Sequence, residues 1–125
     1  MAYHNIYVGI RYRDVPFVAV NGKPLSPRQD LIEHSSKGFE WGYGGCRPTQ
    51  LALAILAHEL TDAQALDHHH RFKWDIIASL PHHAWTLYAE DIHGWLLKTV
   101  YDRNAIEQIA QQQELEFQSI HDMSL

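Results

Sequence analysis

A single cysteine, Cys46, stands in the 125 residues. No internal disulfide can form, which excludes the disulfide-stapled frameworks of small secreted domains and makes a reducing cytoplasm the expected location. Long hydrophobic runs are also missing. The longest, Leu51 to Ala57, falls far short of the roughly 20 residues a membrane helix needs, so no contact with a membrane is expected. The start, Met1-Ala2-Tyr3-His4-Asn5, lacks the basic-then-apolar pattern of a secretory leader. Positive charge is scarce too: 10 Lys and Arg face 15 Asp and Glu, a net charge of -5. Residues 1–50 hold six basic and four acidic side chains, and residues 51–125 hold four and eleven. So acidic a second half repels a phosphate backbone, and generic nucleic-acid binding is not expected.

What is present describes a globular chain. A composition 46% hydrophobic and 20% charged is neither disordered nor low in complexity, and the length suits one domain, 1–125. Ile6 to Tyr12 is rich in aromatic and β-branched residues with apolar side chains at alternate positions, which predicts a strand. Val15 to Val20 predicts a second strand after a turn at Arg13-Asp14, with Pro16 confined to a strand start or a sheet edge. Asn21-Gly22 is a strong hairpin signal, and Lys23-Pro24-Leu25 would begin a short third strand. Residues 28–38 read as a polar loop with one turn near Leu31 and Ile32.

Helices dominate the remainder. Pro48 suits a first helical position, and Thr49–Leu60 is apolar on so many sides that it predicts a buried central helix. Asp62 would cap a second helix running to about Leu80, stopped by Pro81, with Trp74 in the core and Lys73 at its rim. Trp85–Tyr88 predicts another strand, and residues 90–100 a short amphipathic helix. Asn104 to Glu107 fits a capping box opening a Gln- and Glu-rich helix over about 104–117, with Ile106, Ile109, Ala110 and Phe117 as its apolar stripe. The expected fold is therefore α+β: a small N-terminal antiparallel hairpin sheet packed against a bundle of three to four helices.

The least ordinary stretch is Gly38-Phe39-Glu40-Trp41-Gly42-Tyr43-Gly44-Gly45-Cys46-Arg47-Pro48, with four glycines and three aromatics in eleven residues. Followed by Gln50-Leu51-Ala52-Leu53-Ala54-Ile55-Leu56, it resembles the signature of an uncharacterised family of small bacterial and phage proteins, a domain of unknown function. Phe72-Lys73-Trp74-Asp75-Ile76-Ile77-Ala78, Trp85-Thr86-Leu87 and the hairpin at Asn21-Gly22 extend the likeness over about residues 5–97. The resemblance implies a fold and no catalytic residues. Where that family has two small residues this chain has Cys46-Arg47, so the resemblance assigns Arg47 no role.

Read chemically, the loop has two uses. A Gly-rich turn feeding a helix N-terminus presents free backbone N–H groups and the positive end of a dipole to an anion. Trp41 and Tyr43 can stack on a base, Gly44 and Gly45 let a phosphate approach, and Arg47 and Gln50 supply polar contacts. The ligand expected at this site is small, anionic and nucleotide-like. The spacing is not that of a Walker A loop. Alternatively the loop is purely structural, since each buried Trp or Tyr contributes on the order of 4–5 kcal/mol of gross burial.

The ten histidines point less clearly to a site. His68, His69 and His70 are about 100° apart on a helix and cannot all reach one ion. No histidine pair there has the i, i+3 or i, i+4 spacing of a metal helix, and His58, His82 or His83 would have to be recruited. No metal, other cofactor or catalytic residue is expected. Cys46 has no base assigned to it, and Glu40 no second carboxylate. The function expected is that of a non-enzymatic binding protein that sequesters a nucleotide-like ligand or inhibits a host factor. The alternatives are a protein–protein or homo-oligomerising module and, behind it, a small Cys- or metal-dependent hydrolase.

Overall fold

The computed structural model describes residues 4–101, 105 and 107–115. The chain divides into two compact units, Met1–Ile92 and His93–Leu125. In the first, strands β1 (Ile6–Tyr12), β2 (Val15–Val20), β3 (Lys23–Pro24) and β4 (Ala84–Tyr88) form one antiparallel sheet in the order β3-β2-β1-β4. Helices α1 (Cys46–Glu59) and α2 (Asp62–Asp75) pack against each other, and α3 (Ala89–Leu96) follows β4 directly. The fold is α+β, as the residue pattern implies.

Both hairpin turns have positive φ at their two central residues, 53° and 64° at Arg13-Asp14 and 53° and 80° at Asn21-Gly22, the geometry that matches strand twist. Pro16 pairs with Arg11 on β2, beyond the reach of the two-residue β3, so its missing N–H costs no ladder bond. The strand that completes the sheet comes from far along the chain. β4 lies beside β1, with Tyr7 opposite Leu87 and Gly9 opposite Trp85.

α1 begins at Cys46, three residues earlier than its apolar run suggests. Pro48 is therefore the third helical residue rather than the first, still within the turn whose N–H groups have no helical acceptor. Ten consecutive residues, Pro48 to Ala57, are buried. α2 is capped by Thr61, not Asp62: the Thr61 hydroxyl accepts from Gln64 N–H, and the Gln64 side chain accepts from Thr61 N–H. It ends at Asp75, and a 3-10 turn, Ile77–Ser79, carries the chain on. Its buried residues Ala65, His69, Phe72 and Lys73 lie on one face, two of them polar.

The expected roles of Lys73 and Trp74 are reversed. Lys73 is buried while Trp74 is 60% exposed. The Trp74 ring lies over Gly44, where any Cβ would overlap it, and Lys73 Nζ sits 4.4 Å from the ring centroid. One aromatic face thus covers the Gly-rich turn from outside.

The second unit contains the end of α3, a π-helical turn over Leu97–Tyr101 and helix at 107–115. Every residue of 107–115 is exposed, Ile109 among them; Ile106 and Phe117 of the expected stripe lie outside the described residues. Among the described residues no helix is long and apolar enough to cross a membrane.

Candidate functional site

The Gly-rich loop is placed between the sheet and the helices, and most of its chemistry is consumed there. Trp41 is 1% exposed and its indole N–H donates to the carbonyls of Pro81 and His82 at 2.9 and 3.1 Å. Trp85 meets it edge-on, with centroids 5.6 Å apart. The Arg11 guanidinium lies 4.6 Å from the Trp41 ring centroid and forms a two-bond pair with Glu40, at 3.1 and 2.5 Å. Hydrogen bonding to Arg11 holds the Glu40 carboxyl below the usual carboxylate range against its own desolvation.

Gln50 is fully buried and fully employed. Its Oε1 accepts from the N–H groups of His34 and Ser35, and its Nε2 donates to the carbonyls of Pro27 and Ile32. It therefore clamps the 27–35 loop onto α1, and no polar atom is left for a ligand. Gly44 lies beneath Trp74. Gly45, in extended conformation, is the α1 N-cap and offers no side-chain cap.

Two of the six candidate residues keep spare capacity. Tyr43 is half exposed. Arg47 donates from Nη2 to the Phe39 carbonyl at 3.3 Å, and its buried Nε has no hydrogen-bond partner among the described residues. Tyr43 lies against Gly45 at the start of α1 and Arg47 is in its first turn, while Trp41 and Gln50 are interior supports.

A second locus is built by the sheet. Its inner face carries Tyr7, Gly9, Val18, Val20 and Trp85 in the interior. The Tyr7 hydroxyl donates to Glu59 at 2.7 Å and lies 2.9 Å from His58 Nδ1, so burial and the neighbouring carboxylate push its phenol up. The opposite face consists of Ile6, Val8, Ile10 and Tyr12 on β1, Val15, Phe17 and Ala19 on β2, Pro24 on β3, and Ala84, Thr86 and Tyr88 on β4. None of these is charged. Seven large side chains there are 37–63% exposed.

That face presents on the order of 600 Å² of apolar surface, at the upper end of what single-chain proteins show. On it, a groove of about 260 Å³ runs between Val8, Ile10, Phe17, Ala19, Gly22 and Pro24. Apolar, β-branched and aromatic runs along β1 and β2 are the available sequence signal. It marks the strands, but with apolar residues at odd and even positions alike it does not say which face is covered.

The chain belongs to a family of unknown function, DUF6166, whose match spans residues 7–98. No curated protein and no solved structure matches it.

Proposed function

Starting from that membership, we propose that this family member is a non-enzymatic interaction module, cytoplasmic and of bacterial or phage type, that self-associates through the outer face of its sheet. The observation that carries this reading is the uncharged apolar face described above. Two such faces stacked about 10 Å apart would interdigitate as a β-sandwich. About 600 Å² from each copy totals roughly 1,200 Å², the lower bound for a specific interface. A nucleic-acid partner is disfavoured, because the strand residues of the face are uncharged and the guanidinium at its edge, Arg13, lies over the Tyr12 ring.

Sedimentation or light scattering across a micromolar concentration series tests this directly. Dimers are expected, and Phe17→Asp should weaken association at least tenfold while leaving the far-UV spectrum intact. A strictly monomeric wild-type chain at 100 µM would overturn the reading.

A second reading places a small anionic, nucleotide-like ligand at the start of α1. The unpartnered Arg47 Nε, the exposed Tyr43 ring and the uncapped helix end favour it. Thermal shift against a nucleotide panel, with Arg47→Ala as control, tests it. Absence of any shift at millimolar ligand would remove it.

A further inference from the structure

The α2 histidines and one loop histidine converge. The ligating nitrogens of His34, His69 and His70 all lie within 4.8 Å of one another. His34 belongs to the polar loop 28–38 and reaches α2 because Gln50 fixes its backbone N–H at 2.7 Å. His69 Nδ1 lies 2.9 and 3.1 Å from the carbonyls of Ala65 and Leu66, one turn back. Carbonyls only accept, so that nitrogen carries the ring proton and Nε2 presents a bare lone pair. This is the tautomer and the backbone anchoring that metal-binding histidines use. The lone pair points at His34 Nε2, 3.0 Å away.

Neighbouring residues on a helix diverge by about 100°, yet the His69 and His70 ring centroids are only 4.2 Å apart and tilted by 34°. The backward bend of His69 toward Ala65 brings the two rings side by side. The His70 ring also meets His34, edge to face at 5.4 Å. His69 is buried, His34 partly so, and His70 exposed, so two ligands are held and the third can swing from solvent.

We propose that His34, His69 and His70 form a binding site for a divalent transition metal, zinc in the first instance, that pins the 28–38 loop to α2. Three neutral imidazoles with no thiolate or carboxylate form a ligand set for Zn²⁺, Cu²⁺, Ni²⁺ or Co²⁺ rather than for Mg²⁺ or Ca²⁺. Tetrahedral bonds of about 2.0–2.1 Å place ligand nitrogens roughly 3.4 Å apart, which the exposed His70 reaches by a small rotation. His34 gives up its Nε2 proton for one on Nδ1, so the site forms from neutral rings without net proton loss. The fourth tetrahedral position belongs to water or to a ligand from outside. The buried ammonium of Lys73, which also acts on His34, opposes a dication. The site is therefore a moderate binder rather than a permanent structural one.

The test uses the full chain, untagged, titrated with ZnCl₂ by calorimetry and with CoCl₂ by visible absorption. One equivalent should bind in the micromolar range or tighter, raise Tm by several degrees, and with Co²⁺ produce the intense visible bands of a tetrahedral ion. His34→Ala and His70→Ala should each weaken binding at least tenfold, and His68→Ala should leave it unchanged. Circular dichroism confirms that each variant is folded, and His70→Ala, at an exposed position, keeps the test open if His34→Ala is not. Failure to bind zinc at 100 µM overturns the proposal. So does stoichiometric binding that survives both variants.

Discussion

The two faces of one sheet do not divide polar from apolar in the usual way. Outward side chains of an antiparallel sheet are ordinarily polar and inward ones apolar. Here the outward-facing strand residues from Ile6 to Tyr88 are all uncharged, whereas the inward side holds the Arg11–Glu40 ion pair and the Tyr7–Glu59 hydrogen bond. Polarity is thus hidden on the side where a loop and helices supply partners. Apolar surface is displayed on the side where the described residues supply none. The alternation that defines a strand does not define its environment; the available partners do.

The sharpest way to break the contrast is to remove charge from the hidden side. Arg11 and Glu40 side chains are 7% and 16% exposed, and Arg11→Met leaves a carboxylate without its cation. Urea unfolding should show a loss of about 3–5 kcal/mol. Arg11→Met combined with Glu40→Gln should recover part of it.

A smaller effect separates neighbours across the pleat. A Cβ on Gly9 would enter the Trp85 ring, so Gly9→Ala should cost about 1–3 kcal/mol. Ile10→Thr, one residue along and on the outer face, should change the unfolding free energy of dilute protein by less than about 0.5 kcal/mol. Equal effects at the two positions would erase the distinction between the faces.

The smallest effect is a pH dependence. Glu40 has its pKa lowered by folding, so the unfolded state binds the proton more tightly. Its contribution is complete above the ordinary value of 4.5 and is lost as pH falls through the lower folded value. Thermal melts between pH 6 and 3 should show a drop that Glu40→Gln makes shallower.

Local features were legible and distant ones were not. β1 and β2 follow from their own residues, the turn at Arg13-Asp14 from the polar break between them, and the turn at Asn21-Gly22 from residues that tolerate positive φ. α1 is evident from its apolar run, although its start depends on the glycine cap, which leaves no side-chain signature. The exchange of Lys73 and Trp74 was not readable, because what holds Trp74 outside is Gly44, thirty residues earlier.

The candidate site divides the same way. Tyr43 lies against Gly45 at the start of α1, and Arg47 is in its first turn. Trp41 and Gln50 are claimed by the carbonyls of Pro27, Ile32, Pro81 and His82 and by the N–H groups of His34 and Ser35, which no local pattern announces. His34 carries no local signal, because it joins His69 and His70 only once the loop folds back onto α2.

The four hydrogen bonds of Gln50 have a consequence for hydrogen exchange. The amide protons of His34 and Ser35 sit in a largely exposed polar loop, where exchange in minutes would be ordinary, yet both end on a side chain buried in α1. They open only when Gln50 lets go, and Gln50 cannot withdraw without disturbing the most deeply packed helix of the unit. Their protection should therefore follow that of α1 rather than of the loop around them, two slow amides in a fast segment.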